Sequence, residues 1–423
     1  MSTFIDAISS LTNKRGIPIK PIIKDMKARD NAVLIAELSC DDEYSPIASY
    51  IADNHAELAG LGIASLAELS CCDEIMIYSS GINVKELVKA IKVRCGVPIT
   101  AIIGPTSPVL REETALYAAI DTGIIRVARA ELDYKRQYPS YGFRGRPTLV
   151  IDGETAYQAG RLSENPAVAL TKLVSVNGSN SKIKEVNLGT ALSQLFDGAE
   201  LNGAELSGKA LIGGVCGQII DVVTFGEATI KFQYEFDSIK LFSKSECIIS
   251  ALAVHYQSIK DLSCQKCIMC REGSLQLSTI FSDIAAGRAN RDDPALIEDI
   301  CPLIQAGTLC DFGKGMILPA LSAISECRDD FEKHIIARTC PAGSCGGFMK
   351  YIIDPSICTG CGDCIDSCPD EAIEGKDGFI HIIDEKLCEK CGKCVDACQG
   401  SAIKIDSGTV RIPKKPVKVG RFK

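Results

Sequence analysis

The sequence reads CTGCGDCIDSCPD from Cys358 and, thirty residues on, CEKCGKCVDACQG from Cys388. Each half is C-x2-C-x2-C-x3-C, and this doubled run constrains the fold more than any other feature of the chain. A cubane of four irons needs four thiolates, and a tight loop supplies three at a time: Cys358, Cys361 and Cys364, or Cys388, Cys391 and Cys394. In such paired runs the fourth cysteine of each half ligates the other cluster, which assigns Cys398 to the first cluster and Cys368 to the second. Gly360, Gly362 and Gly392 suit loops that must wrap closely round a cluster. Pro369 follows the pattern and Gln399 replaces the second proline, which leaves the ligands intact. A pair of zinc knuckles is the competing reading, and the doubled four-cysteine run argues against it.

The remaining cysteines extend the theme. The chain has 423 residues and 22 cysteines, most of them after residue 263. The N-terminus MSTFIDAISS lacks a charged-then-apolar signal pattern and no run of 18 apolar residues occurs, so the thiols are expected in a reducing cytoplasm, as ligands rather than disulfides. A net charge of −8 argues against general nucleic-acid binding.

Read in order, the chain predicts a multidomain α/β plus α+β protein. Residues 1–165 form an α/β domain: AVLIAEL, EIMIYSS and PITAIIG read as buried parallel strands, separated by the helical patterns SPIASYIADNHAELAGLGIASLAEL and NVKELVKAIKVRC. No G-x-G-x-x-G or P-loop follows these strands. Residues 166–250 form a small α+β domain: strand, Asn-Gly turn, strand, a helix from near Thr190, then β-like runs at ALIGGV and TIKFQYEF. From 251 to 338 three- and four-residue apolar spacing predicts four helices. At their head, Cys264, Cys267 and Cys270 form a C-x2-C-x2-C triad that needs a distant fourth ligand. Cys310 in GTLCDFG is the best candidate and Cys301 the competitor, giving a third [4Fe–4S] cluster in preference to zinc or inert thiols. Residues 339–410 carry the doubled run. The tail 411–423 holds six basic residues and no acidic one, and reads as a solvated tail or a docking arm for an acidic partner.

His334, Cys340 and Cys345 form H-x5-C-x4-C at a domain joint. With Cys301 or Cys327 as fourth ligand they would hold a structural Zn²⁺; otherwise they are buried thiols and a helix-end histidine. Cys71 and Cys72 face opposite ways and read as core thiols, as do the isolated Cys40, Cys95, Cys216 and Cys247. His55, mid-helix, and His255 read as packing or surface residues. No hydrolase-type Ser/His/Asp or Cys/His arrangement emerges.

SCQKCIMCREGS, followed some forty residues later by LC and then FEKHI, resembles the flavin-carrying subunit family of NADH dehydrogenases and NAD-linked, electron-bifurcating iron hydrogenases. TCPAGSC plus a two-cluster ferredoxin is similar to the hydrogenase branch. GRPTLVIDGETA (145–156) is similar to the family's G-x-P-T-x-V-N-N-V-E-T, and REETALYAAIDTG (111–123) to its G-E-E-T-A-L stretch. The resemblance implies a diverged Rossmann-like FMN-type domain, a soluble-ligand-binding (SLBB) β-grasp domain, a four-helix iron–sulfur bundle and a 2×[4Fe–4S] ferredoxin domain. It also implies partners: redox subunits of a complex, hydrogenase-like or thioredoxin-like with a [2Fe–2S] centre, and ferredoxin.

The departures concern the nucleotide site. Of the family's glycine-rich G-R-G-G-A-G-F-P-T-G loop only Gly16, Ile17 and Pro18 remain, and its N-A-D-E-G-E-P-G motif is reduced to IAELSCDDEYS (35–45). The Asn-Asn pair has become Ile151-Asp152, placing a carboxylate where flavin phosphate would lie, and Arg111 replaces a glycine. Gly16, Glu112, Glu113, Glu154 and Thr155 then stand as remnants of that site. The expectation is a relay of three [4Fe–4S] clusters without FMN or NADH. The alternatives are a working FMN-dependent NADH dehydrogenase subunit, favoured by the retained glutamates, and a non-catalytic scaffold.

Overall fold

Strands buried on both faces of a parallel sheet read as continuous apolar runs rather than alternating ones. In the computed structural model, β1 (Val33–Leu38), β2 (Glu74–Ser79), β3 (Ile99–Ile103) and β4 (Thr148–Asp152) form such a sheet, in the order β3-β2-β1-β4 and parallel throughout. The described residues are 3–13, 16–39, 44–128, 142–177, 183–196, 205–232, 236–348, 350–406 and 410–422. Cys40 and residues 41–43 of the IAELSCDDEYS stretch lie outside them.

The helices that flank this sheet are α1 (Ile19–Met26), α2 (Ile47–Asn54), α3 (Ala56–Ser70), α4 (Lys85–Arg94), α5 (Glu113–Thr122) and α6 (Gly153–Glu164). The segment read as one long helix breaks between α2 and α3 at His55, whose backbone leaves the helical region (φ −134°, ψ 24°). Its ring packs on Tyr157, with centroids 4.6 Å apart. The α3 and α6 backbones touch through two glycines. A Cβ on Gly62 would stand 1.9 Å from the Ala156 carbonyl oxygen, and one on Gly160 would stand 1.9 Å from that of Leu58. Helix α3 ends at Cys71 in the left-handed conformation (φ 54°). That turn leaves Cys71 exposed, against the expectation of a core thiol, while Cys72 is buried.

A second sheet follows: β5 (Thr171–Val176), β6 (Ile183–Asn187), β7 (Leu206–Ile212), β8 (Gln218–Asp221) and β9 (Ser238–Ser243), in the order β6-β5-β9-β7-β8. Its first and last strands, β5 and β9, pair in parallel, and the other pairs are antiparallel. Among the described residues of the expected strand TIKFQYEF (residues 233–235 lie outside them) the pairing is a bridge, Thr229 to Ala191, and SIKLFS beyond it forms β9. The helix expected from near Thr190 is present, its described part spanning Ser193–Phe196. Gly178 of the predicted Asn-Gly turn lies outside the described residues. On β5, Lys172, 2% exposed, donates to the carboxylates of both Glu154 on α6 and Asp237 just before β9. The two acids compensate a cation that burial alone would discharge.

Six helices come next: α7 (Ile248–Leu262), α8 (Ile268–Ala285), α9 (Asp293–Ala306), α10 (Asp311–Gly315), α11 (Leu318–Glu326) and α12 (Arg328–Glu332). The C-terminal region carries short antiparallel pairs, among them β10 (Lys350–Ile353) with β14 (Ile403–Asp406) and β11 (Ile373–Glu374) with β13 (Ile382–Ile383). The tail is not a free arm: β15 (Val417–Lys418) pairs antiparallel with β12 (Phe379–Ile380). By compactness the chain divides into two units. One comprises Met1–Lys244, Val254–Ser278 and Pro294–Glu326, the other Ser245–Ala253, Thr279–Asp293 and Cys327–Lys423. The segment read as a helical domain, 251–338, contributes to both. Among the described residues no helix is long and apolar enough to cross a membrane.

Candidate iron–sulfur and metal centres

The C-terminal domain repeats itself. The Asp354 and Asp384 carbonyls each accept a hydrogen bond from a cysteine N–H four residues on, Cys358 and Cys388, both at 3.0 Å. Each aspartate's own N–H donates across the repeat, to Ala402 and Ala372, both at 2.7 Å. The Ala372 and Ala402 amides donate to Cys368 Sγ and Cys398 Sγ, each at 3.3 Å. This crossing sorts the thiols. Burial, followed by the crowding thiolates of Cys358, Cys361 and Cys398, pushes the Cys364 thiol up to about 12. Cys394 is raised by burial and then by Cys388, Cys368 and Cys391. A cavity lined by Cys368, Cys388, Cys391 and Cys394, with Tyr351 and Ile373 beside them, marks the second set. Positive φ at Gly360 (77°), Gly362 (96°) and Gly392 (79°) lets the loops wrap tightly. Four thiols with amide N–H donors at their rim fit a [4Fe–4S] cluster in each half.

The helical set is assembled at the junctions of α7 with α8 and of α9 with α10. Cys310 precedes α10 and its sulfur accepts the Gly313 N–H at 3.5 Å. Burial pushes its thiol up to about 12, and Cys264, Cys270 and Cys267 add to the shift. Cys301 is raised to about 12 by burial alone, with none of these cysteines contributing. The structure therefore brings Cys310, and not Cys301, to the triad. Tyr256 braces the site: its hydroxyl donates to the Met316 carbonyl at 2.9 Å and accepts from the Ala320 N–H at 3.0 Å. His255 is a packing residue, burial holding its pKa down to about 4, with Nε2 3.1 Å from the Val215 carbonyl.

A further group has its ligand atoms all within 4.8 Å of one another: Cys247, His334, Cys340 and Cys345, every one buried. Sequence reading paired the last three with Cys301 or Cys327, but the structure supplies Cys247, which immediately precedes α7. His334 Nδ1 lies 2.7 Å from the Asp330 carbonyl and donates to it. That fixes the tautomer and leaves Nε2, 3.3 Å from Cys247 Sγ and 3.4 Å from Cys345 Sγ, to ligate. A tetrahedral zinc with Zn–S of about 2.3 Å holds its sulfurs about 3.8 Å apart. The compact group suits one ion, whereas a cubane spreads its thiolates over four irons. The hydrogen bond from Cys345 and the neighbouring His334 pull the Cys247 thiol down to about 4, against burial. Burial opposes charge on His334, yet the Cys247 thiolate holds its pKa up at about 9. A metal ion would displace these shared protons.

The expected nucleotide-site remnants lie around the C-terminal ends of β1 and β4, but each has another task. Asp152 caps α6, accepting the Thr155 N–H at 2.9 Å and the Thr155 hydroxyl at 2.7 Å. Glu154 accepts from Lys172 and from the Leu173 amide, and burial lifts its carboxyl to about 7. Glu113 accepts the Tyr117 hydroxyl at 3.0 Å, and Glu112 is buried at the start of α5. Gly16 (φ 74°) closes a turn onto the Asn13 carbonyl at 2.8 Å. Of these remnants only Glu113 lines a small crevice of about 20 Å³ that, among the described residues, Asn13, Glu37, Arg111 and Asp152 also form. That is room for about one water. The α6 N-terminus, a natural phosphate seat, is already taken by the Asp152 carboxylate. The carboxylates of Glu37, Glu113 and Asp152 that line this crevice repel a phosphate.

Residues 251–334 match the NADH-ubiquinone oxidoreductase-F iron-sulfur binding region, and residues 357–403 match a 4Fe-4S dicluster domain. The chain is 29% identical over 287 residues to NADP-reducing hydrogenase subunit HndC of Solidesulfovibrio fructosivorans, covering 62% of this chain and 57% of that one. It is 26% identical over 236 residues to NAD-reducing hydrogenase HoxS subunit alpha of Cupriavidus necator, covering 50% and 38%. With an NADH-quinone oxidoreductase chain of Streptomyces coelicolor it shares 31% over 104 residues, covering 25% and 23%. The chain thus spans less than two thirds of the length of these relatives. Its fold is similar to a chain of an NAD+-reducing [NiFe]-hydrogenase crystal structure, with TM-score 0.68 at 19% identity over 78% of this chain and 62% of that one. Both matched regions contain cysteines that the fold gathers, and in its iron–sulfur region the chain is similar to NADH-ubiquinone oxidoreductase F chains and NAD-reducing hydrogenase subunits.

Proposed function

We propose that this chain is an electron-transfer subunit of a cytoplasmic hydrogenase-like or NAD-linked complex. Its three [4Fe–4S] clusters pass single electrons between a partner redox subunit and a second carrier such as ferredoxin. The observation that carries this reading is the gathering of three four-cysteine sets; the carboxylates of Glu37, Glu113 and Asp152 on the small crevice beside β1 and β4 support its flavin-free form. When bound, the clusters supply one-electron redox chemistry. Cys264, Cys267, Cys270 and Cys310 hold one; Cys358, Cys361, Cys364 and Cys398 the next; Cys388, Cys391, Cys394 and Cys368 the third. The protein shields each from water and directs amide and hydroxyl donors at the sulfurs, which sets the potentials.

Two structural elements support that role. Cys247, His334, Cys340 and Cys345 hold a zinc ion that staples the start of α7 to the segment leading into the two-cluster domain. The second sheet, with its parallel first and last strands at the centre, is a β-grasp of the SLBB kind that presents a surface to another subunit. Metal and flavin analysis of anaerobically purified protein tests the composition: about twelve irons, one zinc and no flavin per chain are expected. One FMN per chain would overturn the flavin-free reading, and about eight irons would remove the helical cluster from it.

A further inference from the structure

Ser263 directly precedes the first ligand of the helical set and is 9% exposed. Its Oγ lies 3.0 Å from the Gln265 backbone nitrogen and 3.3 Å from Cys270 Sγ. Donor and acceptor roles are forced. The Gln265 N–H can only donate, so it takes a lone pair of Oγ; the single hydroxyl hydrogen then remains for Cys270. A cysteine bound to iron is a thiolate and can only accept. Gln265 sits in the left-handed region (φ 56°), so the backbone turn that delivers its N–H to Oγ is a fixed part of the loop. A second neighbour of Cys270 Sγ, Met316 Sδ at 3.9 Å, is a thioether with no hydrogen to give.

From this geometry we infer that Ser263 is a positioning residue that sets the reduction potential of the helical cluster through an O–H···S hydrogen bond to Cys270. The inference rests on the reading that Cys264, Cys267, Cys270 and Cys310 hold a cluster. Reduction adds an electron to the cluster and raises the negative charge on its sulfurs. A hydroxyl dipole aimed at one of them stabilises the reduced form more than the oxidised one, so it raises the potential. Gly313 directs a backbone N–H at Cys310 in the same way, but Ser263 can be changed without touching the main chain or a ligand.

The test is a redox titration of the full-length protein followed by electron paramagnetic resonance, on wild type, Ser263→Ala and Ser263→Thr. The alanine variant is expected to keep its iron and its two other cluster signals. Only the helical-cluster signal shifts to a lower midpoint, by about three- to tenfold in the reduction equilibrium, at most about 59 mV for one electron. Threonine retains the hydroxyl and restores the wild-type midpoint. An unmoved midpoint in Ser263→Ala with full iron would overturn the inference. So would loss of iron in Ser263→Ala that Ser263→Thr does not repair, since that marks packing rather than a hydrogen bond. Iron restored by threonine at the wild-type midpoint supports it. A wild-type protein with about eight irons and no third signal would instead sink the cluster reading itself, a failure visible before any variant is made.

Discussion

Cys247 stands 87 positions from His334 in the chain, yet their ligand atoms are 3.3 Å apart. Replacing it by serine removes one of four zinc ligands and leaves every iron ligand in place. Zinc in Cys247→Ser is expected to fall from about one per chain to near zero with iron unchanged, measured by elemental analysis. Cys301→Ser, at a thiol outside the group, retains its zinc. Full zinc in Cys247→Ser would disprove the assignment. His334, Cys340 and Cys345 were legible because they sit within one short segment, and the search for a fourth ligand then favoured cysteines close in sequence. Nothing local to Cys247 distinguishes it from a core thiol; only the fold places it against His334. The retained glutamates show the opposite limit. Glu154 matches a nucleotide-site motif letter for letter, and its environment turns it into the counter-charge of Lys172.

At the scale of elements, the α3–α6 contact depends on having no side chain at Gly62 and Gly160. Gly160→Val forces a branched side chain against the Leu58 carbonyl and is expected to cost about 3 kcal/mol, seen as earlier thermal or denaturant unfolding. Gly96, where an added Cβ meets nothing within 4 Å, provides the control: Gly96→Ala should leave the transition close to wild type. Equal transitions for Gly160→Val and wild type would contradict the close packing. The parallel strands were readable because burial on both faces makes them uniformly apolar. Strand β9 was not, because TIKFQYEF just before it has the stronger β-type composition while the pairing selects SIKLFS. The break at His55 was hidden for a related reason: helical spacing continues across it, and the turn is decided by how α2 and α3 pack.

On the scale of the whole molecule, the doubled cysteine run was the most legible feature. Its spacing assigned Cys398 and Cys368 across the repeat, and the structure places each beside the opposite loop. The division into compact units was not legible, because α7 and α8 each run through residues of both units without a change in composition. The carboxylate of Asp152 was legible in the sequence as a departure from the nucleotide-site motif. Its physical form, a carboxylate capping α6 beside two glutamates, required the fold. On the proposed reading, electrons enter and leave the chain only through its clusters. The direct test is the visible cluster absorbance of anaerobic protein, oxidised and then mixed either with NADH or with dithionite. Bleaching by dithionite with no response to NADH is the predicted result. Rapid bleaching by NADH alone would contradict it and make the chain a dehydrogenase in its own right.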